Sequence, residues 1–201
     1  MKRQVLVIHG GNVTSRYEEY LENLKAREIT LEKLRRKDWK ASLGVSLGEG
    51  HEVFLPRLPN ADNAKFLEWR IYFEKLLPLM GPGILLVGHS LGAIFLAKYL
   101  SEETIPKPVQ ATFLVAAPFW MPDKQDHGDF VLPPKLDRFA QQGGEIFLYH
   151  SHDDETVPFA DMESYRRALP NACFRIVDGM GLFNAPMFPE LVHDILGFSR
   201  D

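Results

Sequence analysis

Apolar positions in this chain fall into two kinds of pattern that take turns from end to end. Short, dense apolar runs occur at 4–9, 51–55, 83–87, 111–116, 145–150 and 173–177. Most are nearly continuous, as in strands buried on both faces, rather than alternating as in strands with one wet face. Between them lie stretches with apolar residues three and four apart, at 64–77, 91–101, 135–142, 159–169 and 189–197, which predict helices. Alternation of strand and helix predicts a parallel sheet with right-handed crossovers and helices on both faces. There is no internal repeat and no low-complexity segment.

Residues 12–48 break the rhythm. The stretch is longer than a strand-to-strand crossover needs, and much of it is charged, as in Glu32-Lys33 and Arg35-Arg36-Lys37. Ser15 and Glu18 have the spacing of a capping box, and Tyr17, Tyr20, Leu21 and Leu24 would share one face of the helix it opens. Thr30 is placed to cap a second helix carrying Leu31 and Leu34. The segment reads equally well as a lid over a site or as a solvated crossover.

Composition changes this picture little. The 201 residues suit one domain, with 45% hydrophobic and 25% charged residues. A net charge of −4 and a pI near 6.0 give no reason to expect nucleic acid or an anionic membrane as the main partner. The single cysteine, Cys173, cannot form an internal disulfide and reads as a small core residue. The apolar run after Met1-Lys2-Arg3 is too short for a signal peptide or a spanning helix, so a cytoplasmic location is the expectation.

Candidate chemistry concentrates at Gly88-His89-Ser90-Leu91-Gly92, between a buried-strand run and a buried-helix run. G-x-S-x-G at a strand-to-helix junction is the pattern of a nucleophile elbow, where a strained turn exposes the serine hydroxyl. The helix would start beneath Ser90, its free N–H groups and dipole favouring negative charge there. An N-capping serine in a plain turn is the competing reading, but it leaves Gly92 in the first helical turn unexplained. At the end of the first strand, His9-Gly10-Gly11-Asn12 can point backbone N–H groups into the same site. The N–H of Leu91 with that of Gly11 or Asn12 would then form an oxyanion hole. The first and third strands of such a sheet flank the switch point where ligands bind.

After the fifth strand, His150-Ser151-His152-Asp153-Asp154 brings a carboxylate late in the chain, in the order Ser then Asp used by α/β-hydrolases. A metal site from His150, His152, Asp153 and Asp154 and a solvated acidic turn are the other readings. Phe119 and Trp120, in the loop after the fourth strand, are candidates for an apolar pocket.

With these motifs in view, the chain resembles the small single-domain serine hydrolases related to retinoblastoma-binding protein nine, within the α/β-hydrolase superfamily. The likeness rests on Gly88–Ile94, on 151–158 and on Asp178-Gly179-Met180-Gly181-Leu182-Phe183-Asn184. It implies a three-layer α/β core with six parallel strands in the order 2-1-3-4-5-6, no cofactor and a small ester-like substrate. It also implies Ser90 as nucleophile and Asp154 as triad acid. The third motif of the family normally reads Gly-His-Phe and supplies the base; here it reads Gly181-Leu182-Phe183, and leucine carries no proton. His9, His89, His152 and His193 are the substitutes the sequence offers. Two functions follow: a carboxyl-ester hydrolase working through an acyl-enzyme, or an impaired relative that binds a small ligand or a protein partner.

Overall fold

The computed structural model describes residues 2–35, 37–122 and 128–198. Its strands are β1 (Arg3–Ile8), β2 (His51–Phe54), β3 (Ile84–His89), β4 (Val109–Val115), β5 (Glu145–His150) and β6 (Cys173–Ile176). All pair in parallel, in the order β2-β1-β3-β4-β5-β6 that the resemblance implied.

The helices are α1 (Tyr17–Ala26), α2 (Leu31–Arg35), α3 (Trp39–Leu47), α4 (Phe66–Leu76), α5 (Leu91–Glu102), α6 (Asp137–Gln142), α7 (Phe159–Ala168) and α8 (Pro189–Gly197). Successive strand side chains point to opposite faces, so one sheet serves two cores. Leu6, Ile8, Leu86, Leu114 and Leu148 meet α4 to α7 on one face. Val5, Val7, Leu85, Val87, Phe113 and Tyr149 meet α3 and α8 on the other. Continuous apolar strands were the sequence's sign of this two-sided burial.

The first core fixes the helix that follows β3. Phe95 of α5 packs its ring 5.5 Å from Phe66, 5.6 Å from Trp69 and 5.4 Å from Phe73, all on α4. Such tilted and edge-to-face pairs add about 0.5–1.5 kcal/mol each beyond the area they bury.

The 12–48 segment differs most from expectation. Thr30 does cap α2, accepting from the Lys33 N–H at 3.1 Å. Helix α1 begins later than a Ser15 cap would place it, with Arg16 in the capping position. Neither α1 nor α2 has a buried residue. Helix α3 lies outside the helices expected from the sequence. Asp38 caps it through the Lys40 N–H at 3.0 Å, and Trp39, Leu43 and Leu47 bury one face against β2 and α8. The charged 32–37 run hid its start, yet an Asp cap followed by large apolar residues four apart is a readable helix signal. Among the described residues, no helix is long and apolar enough to cross a membrane.

Candidate active site

Between β3 and α5 the chain turns through Ser90 at φ 52° and ψ −118°, a conformation L-residues rarely hold. The Ser90 N–H donates to the Val115 carbonyl at 2.8 Å, tying the turn to β4. The two glycines are required by crowding. A Cβ on Gly88 would lie 2.6 Å from Ala93 Cα, and one on Gly92 would lie 2.3 Å from the Ile8 carbonyl oxygen. Gly92 therefore lets α5 press against the end of β1, which accounts for its place in a first helical turn.

Backbone bonding in α5 starts at the Ala93 N–H, 2.9 Å from the Ser90 carbonyl. Among the described residues the N–H groups of Leu91 and Gly92 have no backbone acceptor, as at any helix start. Gly10 passes so close that its Cβ would sit 3.3 Å from Ser90 Cβ. Of the two candidates for the second oxyanion donor, Asn12 is occupied: its N–H donates to the Ala61 carbonyl at 2.8 Å, and its carbonyl accepts from Ala64. Gly11 has no such bond among the described residues, and a Cβ there would collide with the Ala61 carbonyl at 2.6 Å. The cleft over Ser90 measures about 250 Å³ and is walled by Gly11, Asn12, Val13, Leu91, Trp120 and residues 156–158. Trp120 is part of this wall. Phe119 turns away, stacking edge-on with Tyr165 at 4.9 Å while its N–H donates to Asp161 at 3.0 Å.

Asp154 is buried, 8% exposed. Its Oδ1 accepts from the N–H groups of Thr156 at 2.8 Å and Val157 at 2.9 Å. Its Oδ2 is buried and, among the described residues, has no hydrogen-bond partner. A buried carboxylate oxygen without a donor costs about 1–3 kcal/mol or more, so one clamped oxygen and one orphan mark a group shaped for a partner.

The loop carrying Leu182 is tied on both sides. Asp153 Oδ1 accepts from the Ser151 hydroxyl and from the Gly179 N–H at 3.0 Å, and these donors hold its carboxyl below the usual carboxylate range. Asp178 Oδ1 accepts from His152 through its N–H at 3.1 Å and its Nδ1 at 2.8 Å. On the other side, His89 Nε2 donates to the Leu182 carbonyl at 2.7 Å. The residue before Ser90 and the residue before Asp154 therefore both grip the loop on which the resemblance would place the base.

Each substitute histidine is engaged elsewhere. His9 donates Nδ1–H to the Gly10 carbonyl at 2.6 Å and accepts the Leu58 N–H on Nε2 at 2.9 Å. His89 is buried, and burial together with the Lys40 charge pushes its pKa down to about 3. His152 stacks on Phe159 at 4.1 Å, and His193 lines a groove with Arg175 and Asp194 beside β6. Of the residues weighed for a metal, His150 turns Nε2–H inward to the Val157 carbonyl at 2.9 Å, while His152 faces Asp178. Among the described residues, no group of three or more potential ligands converges.

A sheet of this order, with a strained serine after β3, is the architecture expected of a hydrolase, and the family model for serine hydrolases matches residues 31–185. The chain belongs to the serine hydrolase family. No curated protein matches it. Among solved structures, the ydeN gene product of B. subtilis is 18% identical over 98% of each chain, with a TM-score of 0.76. A YdeN-like hydrolase of Pectobacterium atrosepticum is 14% identical over 98% of this chain and 91% of that one, with a TM-score of 0.65. The thioesterase domain of the curacin biosynthetic pathway is 13% identical over 97% and 91%, with a TM-score of 0.64. At these identities the likeness is one of fold. The fold they share with this serine hydrolase matches an α/β-hydrolase core, while the narrower tie to the group related to retinoblastoma-binding protein nine stays an expectation from its motifs.

Proposed function

We propose that the cleft over Ser90 is a carboxyl-ester hydrolase site of the acyl-enzyme type whose base position is filled by Leu182. Ser90 Oγ attacks the ester carbonyl. The N–H groups of Leu91 and Gly11 hold the oxygen as it gains charge, aided by the N-terminus of α5. Asp154 is the acid that would orient a base. With Leu182 in that place, the Ser90 proton must pass to water or to the leaving group. Acylation is then slow, and so is the hydrolysis that follows. What carries this reading is the orphaned Oδ2 of Asp154: it is buried and desolvated, on a carboxylate whose other oxygen is clamped.

Leu182 favours a second reading, in which the cleft binds a small ester-like ligand or a protein partner without turnover. Fluorophosphonate labelling separates the two. The first expects slow covalent labelling that Ser90→Ala abolishes, whereas absence of labelling in the folded protein leaves only binding.

A further inference from the structure

The start of α3 packs against the loop at 182–186. The Trp39 N–H donates to the Ala185 carbonyl at 2.8 Å, Trp39 Nε1 to the Phe183 carbonyl at 2.8 Å, and the Ser42 hydroxyl to the Pro186 carbonyl at 3.1 Å. One further contact continues past the loop to the residue beside Ser90. Lys40 Nζ lies 3.2 Å from His89 Nδ1, and the opposite ring nitrogen, Nε2, meets the Leu182 carbonyl at 2.7 Å. The Lys40 side chain is only 9% exposed, and its ammonium is paired with Asp38 at 2.5 Å. Burying an ammonium is costly even when it is paired, and capping α3 needs only Asp38. The placement therefore calls for a further reason.

We propose that Lys40 is a positioning residue that fixes the tautomer of His89 and, through it, the loop bearing position 182. A neutral imidazole has one donor and one acceptor nitrogen, and which is which depends on its partners. An ammonium has donors only, so Lys40 bonds to His89 solely when Nδ1 carries the lone pair. Nε2 must then carry the hydrogen, which is what the Leu182 carbonyl needs. In the other tautomer, a lone pair would face that carbonyl oxygen at 2.7 Å. Burial and the Lys40 charge disfavour a doubly protonated ring near neutral pH. Through α3, residues 12–48 thus reach the loop bearing position 182.

Nitrogen NMR of the His89 ring tests this on the unmodified chain, where the Nε2–H tautomer is expected; finding Nδ1–H overturns the proposal. Lys40→Met keeps the length and apolar stem but removes the donors. It is expected to mix the tautomers and to speed amide hydrogen exchange across 182–186 on the order of tenfold, the scale of one lost hydrogen bond. Lys40→Arg, also donor-only, is expected to keep the native tautomer. If Lys40→Met leaves tautomer and exchange unchanged, the proposal fails; should that variant not fold, the native and Lys40→Arg spectra decide.

A kinetic arm rests on the hydrolase reading above. In a Leu182→His background, Lys40→Met is expected to lower kcat on the order of tenfold with KM little changed. A Leu182→His protein that gains no activity, while tautomer and exchange behave as described, counts against the hydrolase reading and leaves the positioning role standing.

Discussion

If the proposed triad frame is right, replacing Leu182 with histidine would put an imidazole on the loop that His89 and Asp153 hold. Its Nδ1–H would meet Asp154 Oδ2, which is buried, unpartnered and on a carboxylate held by the Thr156 and Val157 N–H groups. The acid is already desolvated and fixed, so little reorganisation opposes the new bond. General-base catalysis by a positioned group contributes about 10²–10⁴-fold, or roughly 3–5 kcal/mol of barrier at about 1.4 kcal/mol per factor of ten. Leu182→His should therefore raise kcat/KM for p-nitrophenyl butyrate by about two to four orders of magnitude. The rate should rise with pH as the imidazole loses its proton, with a midpoint at or above about 6.5 because the carboxylate favours the charged ring. Folding stability should change by less than about 1–2 kcal/mol, since the new donor relieves an orphaned acceptor while a partly buried leucine is lost. Adding Asp154→Asn should remove most of the gain, and adding Ser90→Ala all of it. A folded Leu182→His protein with no increase, or with an increase indifferent to Asp154, refutes the assignment of these three positions to one triad frame.

Further outcomes follow from the same geometry. His89 has a folded pKa of about 3 against an ordinary 6.5, so the unfolded chain binds a proton that the folded chain refuses between those values. Stability should fall with acidification through that window, by on the order of 5 kcal/mol in total, and His89→Gln should flatten this limb in urea midpoints measured against pH. Gly92→Ala places a Cβ 2.3 Å from the Ile8 carbonyl and 2.5 Å from that of His9. It should cost more than about 3 kcal/mol in denaturant unfolding or prevent folding, whereas Gly48→Ala meets no atom within 4 Å and should cost only backbone strain. Trp39→Phe loses the bond to the Phe183 carbonyl and part of a fully buried ring. A loss of about 2–4 kcal/mol, with faster hydrogen exchange across 182–186, is expected.

The sheet was legible because its information is local. Val5-Leu6-Val7-Ile8 and Ile84-Leu85-Leu86-Val87 are apolar at every position, and only burial on both faces calls for that. Ser90 was legible for a related reason: its two flanking glycines answer to close backbone contacts that any strand-to-helix turn of this kind must make. What could not be read depends on residues far away in the chain. Gly11 and Asn12 look alike in sequence, and they part only because residues 61–64 pair with the Asn12 backbone. Phe119 and Trp120 are neighbours with similar side chains, and the Tyr165 ring, 46 residues beyond Phe119, draws Phe119 away from the cleft. The charged run before Trp39 masked a helix whose whole buried face is three residues.

Position 182 stands out against this background. Under the proposed reading it is where a base would stand, and its surroundings are firmly held: Asp154 is clamped, Asp153 holds Gly179, and His89 holds the Leu182 carbonyl. Two of these contacts also hold the fold together, since they join β5 to the loop after β6 and β3 to the same loop. The orphaned Oδ2 has no such second use. Its cost falls on the folded state alone, so Asp154→Asn in the unmodified background separates the cases. If Asp154 only shapes its loop, asparagine can keep an oxygen toward the Thr156 and Val157 N–H groups, and stability should hold or rise. Fluorophosphonate labelling of Ser90 should then be unchanged. If the carboxylate still acts on Ser90 through bound water, labelling should slow on the order of tenfold or more while stability rises.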